Sequence, residues 1–137
     1  MTTIAADVVA GVMCSDSRWT DMESIGLARK VWRIRKSLVG GAGDLEQLNK
    51  WVEMYRAGER LRGASLTILR LSASGIDCWT PADGWMVILD KQFAIGSGGS
   101  IARGAMAAGA PCAKAVRIAS DIDANTRGPV RSYRLGA

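Results

Sequence analysis

Hydrophobic and polar positions divide the chain into short alternating runs, one well-defined amphipathic stretch and a small-residue helical region near the end. Residues 3–7 ("TIAAD") and 9–15 ("VAGVMCS") read as two short strands, and rough alternation with the Val8–Val9 and Val12–Met13 pairs places a tight turn near Asp7. The polar stretch "SDSRWTDMESIG" reads as a loop. "ARKVWRI" then reads as a third strand, and "SLVGGAG" as a fourth that ends in glycines. Asp44 with Gln47 three residues later makes a start like a capping box. Leu45, Leu48, Trp51, Val52 and Tyr55 recur at spacings of three and four, which predicts an amphipathic helix over 45–58 with Gly58 and Gly63 flanking its end.

From Ala64 the period changes. "SLTILRLSA", "GIDCWT", "GWMVILD" and "FAIG" are short runs separated by Ser-Gly, Pro-Ala-Asp-Gly and Asp-Lys, the pattern of an antiparallel meander. "SGGSIARGAMAAGA" predicts a small-residue helix. Pro111 suits the first turn of another, which carries Val116, Ile118, Ala119 and Ile122 to about Asp123. "PVRSYRL" closes the chain as a strand. Runs of strands segregated from runs of helices predict an α+β layered domain rather than a βαβ nucleotide fold. With no linker or repeat, residues 1–137 read as one domain long enough to bury a real core.

Composition narrows the chemistry. Apolar residues make up 48% of the chain, yet no run approaches the roughly 20 residues that span a bilayer. The first residues carry no basic leader, so a soluble, cytoplasmic protein without membrane contact is expected. Cys14, Cys78 and Cys112 are odd in number and far apart, which predicts buried thiols rather than disulfides or a zinc ribbon. The net charge of +5 would suit nucleic acid, but the basic residues are scattered. Only 29–36 resembles a patch. Its alternation with Val31, Trp32 and Ile34 reads as a strand with one wet face, so a nucleic-acid partner is disfavoured.

The chain contains no histidine. That excludes Ser-His-Asp and Cys-His catalysis and His-containing zinc sites, and no metal or cofactor is expected. The unperturbed bases nearest neutrality are then an α-amino group at about 7.7–8.0 and a thiol at about 8.5; a lysine would need a depressed pKa. Attention returns to the N-terminus, where strand-like sequence begins at residue 3 although chain ends usually fray. If the first two strands form a hairpin, Asp16 returns beside Thr2. A third strand adjacent to that hairpin can direct Lys30 to the same end. Removal of Met1 would leave Thr2 with an amine and a hydroxyl on one residue, the minimal kit for an N-terminal nucleophile. "GSGGS" at 96–100 could hold an anion on a helix start. It lacks a P-loop lysine and a parallel-strand context, so it reads better as a tight strand-to-helix connection.

Six segments in order carry a resemblance: "TTIAAD", "GVMCSDSR", "RKVWRI", "LVGGAGD", "FAIGSGGSIARGAM" and "AVRIASDIDANTRGPVRSY". Spread over nearly the whole chain, they resemble proteasome β-subunits and above all the bacterial HslV proteases, both N-terminal nucleophile (Ntn) hydrolases. The resemblance implies a four-layer αββα sandwich of two antiparallel sheets. Its helix layer is reduced, because only a turn fits between Arg60 and Ala64 where the family has a second long helix. It implies Thr2 as nucleophile through its Oγ with its own amine as base, and Asp16 orienting Lys30. Lys30 would lower the hydroxyl's pKa, and the Gly43 N–H would act as oxyanion donor. Ser97 would support the amine, and Asp123 with Thr126 would fit the family's Asp-x-x-Ser pattern. It also implies peptide or unfolded-protein substrates, homo-oligomeric rings or stacked rings, and an ATP-dependent unfoldase as partner. The short chain and the lost helix motivate the alternative, a catalytically silent structural or assembly subunit such as a phage-derived particle would use; the initial hairpin is also tighter than the family's. Asp44 beside the oxyanion turn departs from the small residue that the family places there.

Overall fold

The computed structural model describes residues 2–20 and 25–136. Strand β1 (Thr3–Asp7) pairs with β2 (Val12–Ser15) from Ile4↔Ser15 to Asp7↔Val12. The second strand starts at Val12 rather than at residue 9, because Gly11 takes a left-handed φ of 64° and 8–11 are used by the turn. Part of the predicted loop is a small ladder of its own, β3 (Arg18–Thr20) against β4 (Ile25–Leu27). The rest of that loop, 21–24, lies outside the described residues. Strand β5 covers Val31–Ile34, shorter than predicted, and β6 covers Ser37–Ala42.

Helix α1 (Leu45–Ala57) forms as its spacing predicts. Asp44 caps it by accepting the Gln47 N–H at 2.9 Å, and Gly58 ends it in the left-handed conformation. The Gln47 side chain does not complete a capping box; its Oε1 accepts from Ser65 N and Oγ, both at 3.2 Å. There follow β7 (Thr67–Ser72), β8 (Gly75–Thr80), β9 (Gly84–Ile88), β10 (Gln92–Gly96), α2 (Gly99–Ala107), α3 (Cys112–Ile122) and β11 (Arg131–Arg134). Pro111 stands as the N-cap of α3, one residue before the turn predicted for it.

Two antiparallel sheets face each other, in the orders β10-β1-β2-β11 and β5-β6-β7-β8-β9. This corrects two expectations. β7, β8 and β9 do form a meander, but β10 leaves it to pair with β1, Thr3↔Gly96 through Asp7↔Gln92. β5 lies in the second sheet rather than beside the first hairpin. Both follow from burial on two faces. β10 sends Ala94 toward the helices and Ile95 into the space between the sheets, and β5 sends Val31 inward and Trp32 and Ile34 outward. Arg33 is the exposed residue of β5, so the strand has no wet face.

Three cores define four layers. Ile4, Ala6 and Met13 meet Val31, Leu38, Leu69 and Leu71 between the sheets. Ala5 and Cys14 pack under Ala102, Met106, Val116 and Ala119 of α2 and α3. Val39, Ile68 and Trp79 pack under Leu48, Trp51 and Val52 of α1, which forms the fourth layer alone. Gly40 and Gly41 thin β6 where it is covered on both sides. A Cβ on Gly40 would lie 2.8 Å from Ile4 Cγ2, and one on Gly41 would collide with Leu48. All three cysteines are free and buried. No helix among the described residues is long and apolar enough to cross a membrane.

Candidate active site

Asp16 follows β2, and its N–H bonds back to the Thr3 carbonyl at 3.3 Å, so the chain leaves the hairpin beside the start of β1. Its carboxylate is fully buried. Oδ1 accepts the Thr3 N–H at 3.1 Å, Oδ2 accepts the Arg127 N–H at 3.2 Å, and Lys30 Nζ donates to both oxygens at 3.1 Å. Lys30 arrives from the opposite sheet, immediately before β5, with its carbonyl held by Gly41 N–H at 3.1 Å. The ion pair therefore bridges the two sheets at one end of the sandwich. Burial draws the Lys30 ammonium below its ordinary pKa, opposed by the charge and hydrogen bonds of Asp16. The same burial pushes the Asp16 carboxyl up, opposed by Lys30 and the two backbone donors.

Thr2 lies one residue beyond that bonded peptide and is almost wholly buried, at 4% exposure. On its other side a second polar network closes. Ser97 Oγ donates to Asp123 Oδ2 at 2.6 Å and lies 3.5 Å from the Thr2 carbonyl oxygen. A hydroxyl has one proton, and the short contact takes it, so the Thr2 approach is the weaker of the two. Thr126 Oγ1 also donates to Asp123 Oδ2 at 2.6 Å. Its proton being used there, the 2.8 Å contact between Thr3 and Thr126 hydroxyls must be donated by Thr3. The chain of donors runs one way, from Thr3 through Thr126 to the Asp123 carboxylate. Hydrogen bonds from Ser97 and Thr126 hold that carboxyl below its ordinary pKa.

A cleft of about 510 Å³ opens in front of Thr2, lined by Lys30, Gly41 and Gly43, by Arg18 and Trp19 of β3, and by Asp44, Leu45, Glu46 and Leu48 at the start of α1. Gly43 has φ 133°, and a Cβ there would collide with the Ser65 carbonyl, so the turn requires glycine.

Of the residues singled out from the sequence, Thr2, Lys30 and Gly43 line the cleft, Asp16 sits behind Lys30, and Ser97 and Asp123 lie on the far side of the Thr2 main chain. Sequence reasoning missed the Thr3 hydroxyl, the Arg127 N–H and Gly96. Gly96 has φ 95° and lies so close to the Thr2 carbonyl that a Cβ would overlap it. The glycine run at 96–100 was the available signal, and its use is the close strand-to-helix connection. The basic stretch 29–36 does not make one surface: Lys30 is buried, and Arg35 Nη2 reaches the Tyr55 and Arg56 carbonyls at 3.5 and 3.4 Å. Met1, whose removal would expose the Thr2 amine, lies outside the described residues.

No protein-family model and no curated protein matches the sequence. Solved structures do match. A eukaryotic HslV from Trypanosoma brucei is 21% identical with a TM-score of 0.76, over 96% of this chain and 98% of that one. The bacterial proteasome homologue BPH from Thiobacillus denitrificans is 18% identical with a TM-score of 0.70, over 98% of each chain. The same homologue solved in complex with epoxomicin is 17% identical with a TM-score of 0.71, over 99% of each. The fold is HslV- and proteasome-like, with two facing antiparallel sheets and three helices among the described residues.

Proposed function

We propose that the chain is a threonine-type peptidase of the proteasome and HslV kind, hydrolysing peptide bonds through Thr2 after Met1 is removed. The observation that carries this is Thr2 at the inner wall of the cleft, beside a buried lysine whose carboxylate partner binds the peptide N–H following Thr2. No histidine competes for the role of base. The Thr2 Oγ attacks the scissile carbonyl and its proton passes to the Thr2 amine, which then protonates the departing amine of the substrate. The Lys30 charge favours the alkoxide, and Asp16 holds Lys30 in place. The Gly43 N–H takes the oxyanion, a donor of a type worth about 2.7–4 kcal/mol to the transition state. Water resolves the acyl-ester with the amine again as base. Asp123 anchors the neighbouring Thr3 through the Thr126 hydroxyl and holds Ser97 beside the Thr2 carbonyl, which steadies the residue that carries the amine.

The likeness to HslV and to a proteasome homologue supports an assembly of several copies; peptide or unfolded chains as substrate and an unfoldase as partner are part of the same proposal. Because a BPH structure contains epoxomicin, that compound is the probe of choice. Intact mass should show a chain lacking Met1 that gains one epoxomicin, and Thr2→Ala should abolish both the adduct and the hydrolysis of fluorogenic peptides. Equal turnover by wild type and Thr2→Ala overturns the reading. Retained Met1 with neither adduct nor turnover selects the silent assembly subunit instead.

A further inference from the structure

We propose that Thr3, the residue after the nucleophile, is a positioning residue for the reaction: its hydroxyl, donated to Thr126, fixes the peptide that carries Thr2 and so aims the nucleophile into the cleft. The inference rests on the peptidase reading and names the residue through which both neighbouring networks act on Thr2. Thr3 is fully buried and held at three atoms. Its N–H donates to Asp16 Oδ1 at 3.1 Å, its carbonyl accepts the Asp16 N–H at 3.3 Å, and its Oγ1 lies 2.8 Å from Thr126 Oγ1. The two backbone bonds tie it to the carboxylate that pairs with Lys30, and the hydroxyl ties it to the carboxylate of Asp123 through Thr126. The next residue along, Arg127, closes the same circuit by giving its N–H to Asp16 Oδ2 at 3.2 Å. By comparison the direct hold of Ser97 on Thr2 is weak, at 3.5 Å with its proton already given to Asp123.

The surroundings of that hydroxyl are built at a local cost. Gly98 is the N-cap of α2 and gives the helix no side-chain cap, where serine, threonine, asparagine or aspartate would satisfy one of its first N–H groups. A Cβ on Gly98 would collide with Thr3 Oγ1 and lie 2.9 Å from Thr126 Oγ1 and 3.1 Å from Ala119 Cβ. The helix thus forgoes its cap at the point where any side chain would displace the hydroxyl pair. Thr3 and Thr126 are both fully buried, so bulk water cannot take the place of the bond between them. Without the Thr3 proton the strand keeps its β1 pairing but loses the side-chain anchor next to the reacting residue. A misplacement of about 1 Å at such a centre can cost on the order of 100-fold in rate.

Thr3→Val keeps the β-branched shape and removes the hydroxyl. Assayed below its melting transition on a fluorogenic peptide, it should lower kcat at least about tenfold. KM should stay within about twofold, because Gly43 and the start of α1, which wall the cleft, are untouched. Thr3→Ser restores the donor and should bring kcat back to within about threefold of the unaltered protein's. Thr126→Val cuts the same path at its acceptor, so adding Thr3→Val to it should cost little more than Thr126→Val alone. The rate of epoxomicin adduct formation, followed by intact mass, should fall in step with kcat. Should Thr3→Val not fold, Thr3→Ser against Thr3→Ala isolates the same hydroxyl. An unchanged kcat on losing the hydroxyl, a loss carried by KM, no recovery with Thr3→Ser, or losses that multiply in the double variant each overturn the proposal. The unaltered protein separates the two readings. If it neither cleaves peptide nor takes the adduct, the peptidase reading falls and this inference with it, whereas an active protein indifferent to the Thr3 hydroxyl sinks this inference alone.

Discussion

Lys30 and Asp16 are opposite charges held where neither can be solvated, at 5% and 0% side-chain exposure. A buried pair of this kind is not in itself evidence of stability, since desolvation offsets much of the attraction. What keeps this one ionised is completeness: the carboxylate receives the ammonium on both oxygens and one backbone N–H on each. Lys30→Met takes away the counter-charge and leaves the buried carboxylate, which should cost about 3–5 kcal/mol at pH 7. The sign with pH is fixed by Asp16. Burial raises its folded pKa above the ordinary 3.8, and further once Lys30 is gone. Between those two values the folded chain binds more protons than the unfolded one, so stability falls as pH rises through that window. The deficit of Lys30→Met against the unaltered protein should therefore shrink as pH is lowered toward the carboxylate range, and Lys30→Met with Asp16→Asn should recover part of it at pH 7. Urea denaturation across pH measures this; a deficit that does not change with pH would mean that lost packing, not stranded charge, is the cause.

Elements differ in how far local sequence determines them. Helix α1 was legible almost to the residue, because its apolar spacing, the Asp44 cap and the Gly58 stop all act within a few positions. The meander β7–β9 was legible for the same reason, its turns being short. The partners of β5 and β10 were not, since whether a buried strand joins one sheet or the other depends on segments distant in the chain. The β3–β4 ladder was hidden by the polar residues around it. The candidate site residues were named through family resemblance, while the route predicted for Lys30 was wrong: it reaches Asp16 across the sandwich instead of along the first sheet. Gly96 shows an element end acting on the site. It closes β10 opposite Thr3, at φ 95°, and a Cβ would overlap the Thr2 carbonyl and lie 2.7 Å from its carbon. Gly96→Ala should cost about 1–3 kcal/mol in backbone strain and, by displacing Thr2, lower peptide turnover by at least about 100-fold, since small misplacements at a reacting centre are costly. Thermal unfolding and a hydrolysis assay on the same preparation test it. Strain without lost turnover would mean that β1 yields without moving Thr2.

At the scale of the whole molecule, the five-stranded sheet has one helix over its outer face, and the cover is completed by aromatic rings. Trp51 is fully buried, stacked on Tyr55 at 5.1 Å and set edgewise to Trp79 and Trp85 at 5.6 and 5.9 Å. Arg70 extends the cover by lying 3.8 Å above the Trp85 ring while its guanidinium bonds Asp77 and the Tyr55 hydroxyl. Among the described residues the Trp51 Nε1–H has no hydrogen-bond partner, so there the residue holds the layer by packing. Trp51→Ala should therefore cost about 3–5 kcal/mol. Trp51→Phe keeps an aromatic ring against Tyr55 and removes an unpartnered donor, and it should cost clearly less than the alanine variant. The same helix begins at the cleft, where Leu45 and Leu48 form a wall, whereas Thr2 immediately precedes β1 of the opposite sheet. Loosening α1 should consequently raise KM for peptides while epoxomicin still labels Thr2, provided the assay temperature lies below the melting transition. If labelling and peptide affinity fell together, the outer helix would be holding the nucleophile itself, and the two walls of the cleft would have to move as one body.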